Sequence, residues 1–194
     1  MDQLVEIKSK IQINPSRVGK KYFVKTFGCQ MNEHDSERIS GMFELDGMSK
    51  AISEEYADVL FVNTCTIREN ADDKLYGTLG QLKQWKSQKD NRKLLVGGCA
   101  AQKDKELVRE KAPWVDVVIG THNLTNVVDL LNRSEDWGPL TEIIDEIETL
   151  PTEAPSIRES EYSAWVTIQI GCNNSCTFCI VPSVRGQELS LIHI

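Results

Sequence analysis

Apolar runs and amphipathic stretches alternate along the first two thirds of the chain. The run KYFVKTF precedes a stretch whose apolar residues recur at helical spacing, and the same alternation begins again at DVLFVNT, KLLVGG and VDVVIG. After DVLFVNT, the residues Leu75, Leu79 and Leu82 fall at steps of four and three, which places them on one helix face. The pattern therefore predicts four β-α units in series.

The character of these strands indicates the fold class. Short, almost wholly apolar strands separated by helices are typical of a parallel sheet that is covered on both faces. We expect a doubly wound α/β domain over residues 21–133, preceded by a flexible segment at residues 1–20 that has few apolar residues. Residues 134–161 are acidic and contain three prolines, so they predict a linker. The alternating run AWVTIQIG then predicts the first strand of another domain over residues 162–194.

Charge is unevenly distributed along the chain. The net charge is -7, but residues 135–161 alone hold nine acidic residues and one basic residue. The rest of the chain is close to neutral, so charge alone gives no sign of nucleic-acid binding. With 40% hydrophobic and 26% charged residues, the composition is that of an ordinary globular protein.

The N-terminus and the cysteines bear on the cellular compartment. No apolar signal region follows Met1, and no apolar run approaches the roughly 18 residues that a membrane span needs. We expect a cytoplasmic protein without membrane contact. Cytosolic thiols stay reduced, so the six cysteines suggest metal or redox chemistry rather than disulfides.

The segment GCNNSCTFCIVP carries the strongest chemical signal, a C-x3-C-x2-C arrangement of Cys172, Cys176 and Cys179, here named the loop triad. Three thiolates on one short loop can hold three irons of a [4Fe-4S] cluster and leave the fourth iron open to a substrate. The alternative is a structural zinc site, which needs a fourth ligand. His193 is the one nearby candidate for that ligand.

A second set of cysteines, here named the domain triad, consists of Cys29, Cys65 and Cys99, each of which follows a predicted strand. The carboxyl ends of parallel strands meet at one edge of a sheet, where α/β proteins bind ligands. Three thiolates can converge there on a cluster, and the neighbouring glycines Gly28, Gly97 and Gly98 would allow close approach of a bulky cofactor. The alternative is that each cysteine is simply a small buried apolar residue.

Four segments carry a specific resemblance: GCQMNEHDSE, VNTCTIRENA, GGCAAQ and GCNNSCTFCIVPSVRGQELS. They are similar to the signature segments of the MiaB-type methylthiotransferases of the radical-SAM superfamily. The resemblance implies that the domain triad holds an auxiliary [4Fe-4S] cluster, and that the loop triad holds the cluster that binds S-adenosyl-L-methionine. It also implies that residues 162–194 are the truncated start of a radical-SAM (β/α) barrel.

The resemblance further implies a reaction and partners. The reaction would be the 2-methylthiolation of an N(6)-dimethylallyladenosine next to the anticodon of a tRNA, and it would use two molecules of S-adenosyl-L-methionine. An electron donor such as flavodoxin or ferredoxin would supply electrons to a monomeric enzyme. No particular catalytic side chain is identified.

Two alternatives remain beside this function. RimO-type enzymes, which methylthiolate an aspartate of a ribosomal protein, share both triads, although their first motif is closer to GCPKNxVDSE. A non-catalytic cysteine metal-binding module is the other alternative. The last residues, Leu191 to Ile194, do not resemble the family's continuation. We therefore expect an N-terminal fragment that does not modify tRNA alone.

Several polar residues near the cysteines have open roles. Asn32 and Asp35 can orient a cluster or substrate, but they equally suit the N-cap and first turn of a helix. Asn63 and Arg68 flank Cys65, where they can bond cluster sulfurs or simply form a turn. Three residues of the last motif, by the resemblance, support the loop of the loop triad or else lie in a solvated loop; they are Arg185, Glu188 and Ser190.

Overall fold

The computed structural model describes residues 13–66, 71–145, 155–158 and 160–191. A six-stranded sheet, parallel throughout, has the order β2-β1-β3-β4-β5-β6. Its strands are β1 (Lys21–Thr26), β2 (Ser49–Lys50), β3 (Val59–Thr64), β4 (Lys93–Gly98), β5 (Val117–Ile119) and β6 (Leu140–Glu142). The chain turns to one side of β1 to form β2 and to the other side to form β3, so the sheet has a switch point between β1 and β3.

Helices cover both faces of the sheet. They are α1 (Gln30–Leu45), α2 (Ala71–Ser87), α3 (Cys99–Asp104), α4 (Leu107–Lys111) and α5 (Val127–Trp137), and short 3-10 turns lie at Glu54–Tyr56 and Leu124–Asn126. Because strand side chains alternate between faces, Leu60 packs with α2 to α4, whereas Phe61 packs with α1 and α5. These two apolar cores make the sheet a buried layer. Across the described residues, every helix is too short or too polar to pass through a bilayer.

The predicted parallel α/β domain is confirmed, but its extent differs at both ends. Helix α5 runs on to Trp137 and β6 adds a strand, so the sheet domain continues beyond the predicted end at Arg133. At the other end, residues 13–20 are fastened to the domain, because Arg17 is fully buried and pairs with Asp46 and Glu135. The start of the predicted flexible segment, residues 1–12, lies outside the described residues.

The segment after the sheet domain is only partly described. Residues 146–154 of the predicted linker lie outside the described residues, whereas residues 155–158 run along α1, where the amide of Ile157 donates to the carbonyl of Glu37 at 3.0 Å. The strand predicted from AWVTIQIG is shorter than expected: only β7 (Gln169–Ile170) forms, and it pairs with β8 (Leu189–Ser190) in an antiparallel hairpin. One further helix, α6 (Val181–Arg185), lies inside this hairpin connection.

Candidate functional site

The domain triad lies at the carboxyl edge of three adjacent strands. Cys29 follows β1 and is the N-cap residue of α1, Cys65 follows β3, and Cys99 is the first residue of α3 after β4. The strand register pairs Thr64 with Gly98, so the next residues, Cys65 and Cys99, leave neighbouring strands at the same level. Since β1 also neighbours β3, the structure brings all three predicted cysteines to the switch point of the sheet, where α/β proteins bind ligands.

Two glycines allow the chain to pass closely between these cysteines. Gly28 has a φ of 141°, and a Cβ at this position would lie 2.8 Å from Cys65 Cβ. Gly98 has a φ of 91°, and a Cβ there would lie 2.4 Å from the Thr64 carbonyl oxygen. The expectation that Gly97 opens space for a cofactor is wrong, because a Cβ there would meet Phe61 in the core. The glycines thus serve mainly to bring backbone segments together.

Two buried asparagines hold the turn at Cys29 against the end of β3, next to Cys65. Asn32 and Asn63 are both fully buried. The side-chain amide of Asn32 donates to Asn63 Oδ1 at 3.0 Å and to the Thr64 carbonyl at 3.1 Å, while the amide of Asn63 donates to the Asn32 carbonyl at 2.8 Å. The Cys29 thiol donates to Asn32 Oδ1 at 3.4 Å. Asn32 therefore lies in the first turn of α1, as the sequence allowed, and its side chain ties the Cys29 turn to β3; the N-cap residue is Cys29.

The thiols of the domain triad differ in their surroundings. Cys65 and Cys99 are 5% and 1% exposed, whereas Cys29 is half-buried. Burial raises the pKa of the Cys99 thiol, and the nearby Arg185 guanidinium counteracts this shift. A thiol in this position becomes a thiolate most readily when a bound cation compensates for the burial of its charge.

A cavity of about 220 Å³ opens beside Cys65 between β1, β3 and α2. Its lining residues are Thr26, Phe27, Gly28, Thr64, Cys65, Ala71, Lys74 and Leu75. Among the described residues, no group of three or more histidine, cysteine or acidic side chains is close enough to hold a single metal ion. Three thiols at one sheet edge, next to a cavity, fit a larger group that is bound through sulfur, such as an iron-sulfur cluster.

The loop triad lies on the connection of the β7-β8 hairpin. Gly171 and the amide of Cys172 pack against the carbonyls of Gly186 and Gln187, so the two ends of the connection touch. Cys176 and Cys179 are exposed, and the amide of Cys179 donates to the Cys176 carbonyl at 3.2 Å in a tight turn. All six cysteines of the chain are free thiols. Two cysteines of the loop triad are thus exposed and Cys172 is half-buried, whereas two cysteines of the domain triad are buried.

The hairpin connection is docked on the cysteine edge of the sheet domain. Thr121, at the end of β5, donates its hydroxyl to the Val184 carbonyl at 2.6 Å. Thr167 bonds His34 at 3.0 Å. The guanidinium of Arg185 pairs with Asp35 at 2.8 Å. Helix α6 therefore covers the edge that carries the domain triad.

The polar residues with open roles take different positions. Asp35 forms a buried ion pair with Arg185, and Arg185 is buried rather than in a solvated loop. Glu188 remains in the hairpin connection, where its amide donates to Asn173 Oδ1 at 3.0 Å. Arg68 lies outside the described residues. No sequence pattern indicated the contact of Arg185 with the domain triad, because the two are more than 80 residues apart.

Comparison with known proteins supports the sequence motifs. Residues 21–120 match the family model described as uncharacterized protein family UPF0004. A tRNA-2-methylthio-N(6)-dimethylallyladenosine synthase of Corynebacterium urealyticum is 51% identical over 183 residues, which cover 94% of this chain and 34% of the relative. The synthase of Tropheryma whipplei with the same name is 57% identical over 168 residues, covering 86% of this chain and 36% of the relative.

These relatives confirm the resemblance that the motifs carry. The chain spans about a third of the length of the curated relatives it matches. The matched family model covers more than half of the chain and contains β1 to β5 with the whole domain triad. The chain therefore belongs to protein family UPF0004.

Proposed function

We propose that the chain is the cluster-binding part of a tRNA-2-methylthio-N(6)-dimethylallyladenosine synthase. The observation that carries the proposal is the convergence of Cys29, Cys65 and Cys99 at the switch point of the sheet, with the loop triad on a hairpin docked over the same edge. The names of relatives that are 51–57% identical support the same activity. A single buried cysteine needs no function, but three at the ends of adjacent strands next to a cavity suit a cofactor site.

The two triads suit different tasks. The domain triad would hold one [4Fe-4S] cluster in a largely buried site, where few water molecules reach the bound sulfur atoms. The loop triad would hold the other cluster at the surface, and an iron without a protein ligand would take S-adenosyl-L-methionine. When bound, the clusters and S-adenosyl-L-methionine supply the sulfur transfer and the radical chemistry. The chain's own residues hold these groups near each other and limit access of water.

The substrate class follows from the relatives and from the chemistry. The target would be the N(6)-dimethylallyladenosine next to the anticodon of a tRNA, where an unstacked base can be turned out into a protein pocket. An electron donor such as flavodoxin or ferredoxin would reduce the clusters, and the protein would act as a monomer. A tRNA substrate and six free thiols both suit the cytoplasm.

Two other functions would use some of the same features. A RimO-type enzyme would modify a ribosomal-protein aspartate instead, but the segment GCQMNEHDSE is closer to the tRNA branch. A non-catalytic module would use the cysteines for a structural metal alone. The cavity beside Cys65 favours a cofactor site over this last alternative, since a structural zinc site is closed by four ligands and needs no cavity.

A chimaera tests the proposed function directly. This chain would replace the matched third of the Corynebacterium urealyticum synthase. The chimaera would be expressed in bacteria that lack their own tRNA methylthiolation, and the tRNA nucleosides would be measured by mass spectrometry. We expect 2-methylthio-N(6)-dimethylallyladenosine, and its loss when Cys65 or Cys176 is replaced by alanine.

The matched control is Gly80→Ala, an exposed helix position with nothing within 4 Å of an added Cβ, which should leave the product unchanged. Accumulation of unmodified N(6)-dimethylallyladenosine with a well-expressed chimaera would contradict the proposal. Methylthiolated ribosomal protein in those cells would favour the RimO-type alternative.

A further inference from the structure

Arg185 occupies an unexpected position for a residue of the hairpin connection. It is six residues beyond Cys179, yet it is only 6% exposed. Its Nη1 atom lies 2.8 Å from Asp35 Oδ2 on α1, and both side chains are buried. A buried guanidinium is costly unless it is paired, so Asp35 both compensates its charge and fixes its direction.

Helix α6, which ends at Arg185, packs against α3, the helix that begins at Cys99. Against the effect of burial, which raises the pKa of the Cys99 thiol, the positive charge of Arg185 lowers that pKa. The Nη2 atom of Arg185 is buried and has no hydrogen-bond partner among the described residues. Arginine carries five N–H donors, and a buried donor without a partner is destabilising. At least one N–H of Arg185 is therefore available to a group that is bound at this edge of the sheet.

A purely structural role explains less of this geometry. The carbonyl of Val184 already anchors α6 to Thr121, and His34 anchors the start of the hairpin segment through Thr167. Docking therefore does not require a buried cation beside Cys99. The ion pair of Arg185 is also made with the sheet domain, at Asp35, rather than with the loop of the loop triad that the motif suggested.

We propose that Arg185 is a positioning residue for the cluster of the domain triad: held by Asp35, its guanidinium donates to a sulfur at Cys99 and raises the reduction potential of that cluster. The inference rests on the proposed function, since it requires a cluster at Cys29, Cys65 and Cys99. A positive charge and a hydrogen bond at a cluster sulfur both stabilise the reduced, more negative state. Undocking of α6 would remove both the charge and the hydrogen bond. The segment that carries the loop triad would thus influence the reduction potential of the cluster at the domain triad.

The test uses the 194-residue chain with Cys172, Cys176 and Cys179 replaced by alanine, so that one cluster remains. After anaerobic reconstitution, iron and sulfide would be measured, and the one-electron reduction would be followed by EPR in a potentiometric titration. We expect Arg185→Gln to retain iron and to shift the potential to more negative values. Arg185→Lys keeps the charge but loses the planar fork, so its potential should lie between those of Arg185→Gln and the parent.

Arg17→Gln is the matched control. Arg17 is also a buried arginine in an ion pair with an acidic residue, Asp46, but it precedes β1 and lies at the opposite edge of the sheet. Its replacement should weaken the fold without changing the potential. If Arg185→Gln does not hold iron, the reduction potential of Arg185→Lys is compared with that of the parent and decides the test.

The outcomes separate the inference from the proposed function. Iron-loaded Arg185→Gln and Arg185→Lys proteins with the potential of the parent would overturn the role of Arg185 and leave the cluster in place. An equal shift in Arg17→Gln would overturn it too, because the shift would then reflect weakened folding. A parent that binds no iron and no sulfide would overturn both this inference and the cluster at the domain triad.

Discussion

Replacement of Gly98 by alanine tests how closely β3 and β4 must approach beside the domain triad. Gly98 has φ 91° and ψ -168°, a conformation that is nearly exclusive to glycine and costs other residues about 1–3 kcal/mol. The added Cβ would also lie 2.4 Å from Asn63 Oδ1 and 2.4 Å from the Thr64 carbonyl oxygen. Overpacking of this kind costs about 1–3 kcal/mol more. We therefore expect the free energy of unfolding to fall by about 2–6 kcal/mol.

The assay is urea unfolding of the chain without metal, followed by circular dichroism, with iron content measured separately after reconstitution. Gly80→Ala is the control, because this helix position has open space and should gain about 0.5–1 kcal/mol. Since Gly98 directly precedes Cys99, Gly98→Ala should also reduce the iron bound at the domain triad. A Gly98→Ala protein whose stability lies within about 0.5 kcal/mol of the parent would refute the close approach of the two strands.

Two further substitutions test the buried polar groups. Asn63→Ala leaves one N–H of the buried Asn32 side-chain amide without its acceptor, so we expect a loss of about 1–3 kcal/mol in urea unfolding and weaker iron binding; an unchanged midpoint would contradict the network. Burial raises the pKa of the Asp46 carboxyl from 3.8 to about 6, against the lowering effect of Arg17. The native state thus holds this proton more tightly than the unfolded chain, and the resulting stabilisation is complete below pH 3.8 and lost as the pH rises through about 6. The free energy of unfolding of Asp46→Asn, relative to that of the parent, should therefore rise by up to about 3 kcal/mol between pH 4 and pH 7. An equal difference between the two proteins at both pH values would contradict this.

The α/β architecture was predictable because its signal is local. Runs such as DVLFVNT and KLLVGG are long and apolar, so they predict buried parallel strands without knowledge of their neighbours. β2 and β6 escaped prediction because they have only two and three residues, and Leu140–Glu142 follows a proline in an acidic stretch. Its place in the sheet depends on pairing with β5, a contact that sequence periodicity does not encode.

Only part of the candidate site was predictable from the sequence. The position of the domain triad followed from strand order, since each cysteine comes directly after an apolar run. The partners of the thiols did not, because they are distant in sequence: Asn32 meets Asn63 across 31 residues. Arg185 approaches Cys99 only after α6 has docked on the sheet. The sequence placed Asn32 in the first turn of a helix, but it did not show that its side chain is buried against β3.

The docking of the hairpin on the sheet domain has a consequence for the two cysteine sites. Asp35, on the helix that begins at Cys29, holds Arg185 on the segment that follows Cys179. A shift of α6 would therefore displace residues near both triads, because one ion pair links the helix that begins in the domain triad to the segment that follows the loop triad. This linkage offers a physical route by which the state of one site can affect the other.

The content of iron and acid-labile sulfide after anaerobic reconstitution tests the central claim most directly. The measurement would compare the chain with two variants, in which either the domain triad or the loop triad is replaced by alanine. We expect about eight irons in the parent and about four in each variant, with sulfide in equal amount. Zinc in place of iron, or no metal in the parent, would contradict the assignment of the two triads as cluster sites.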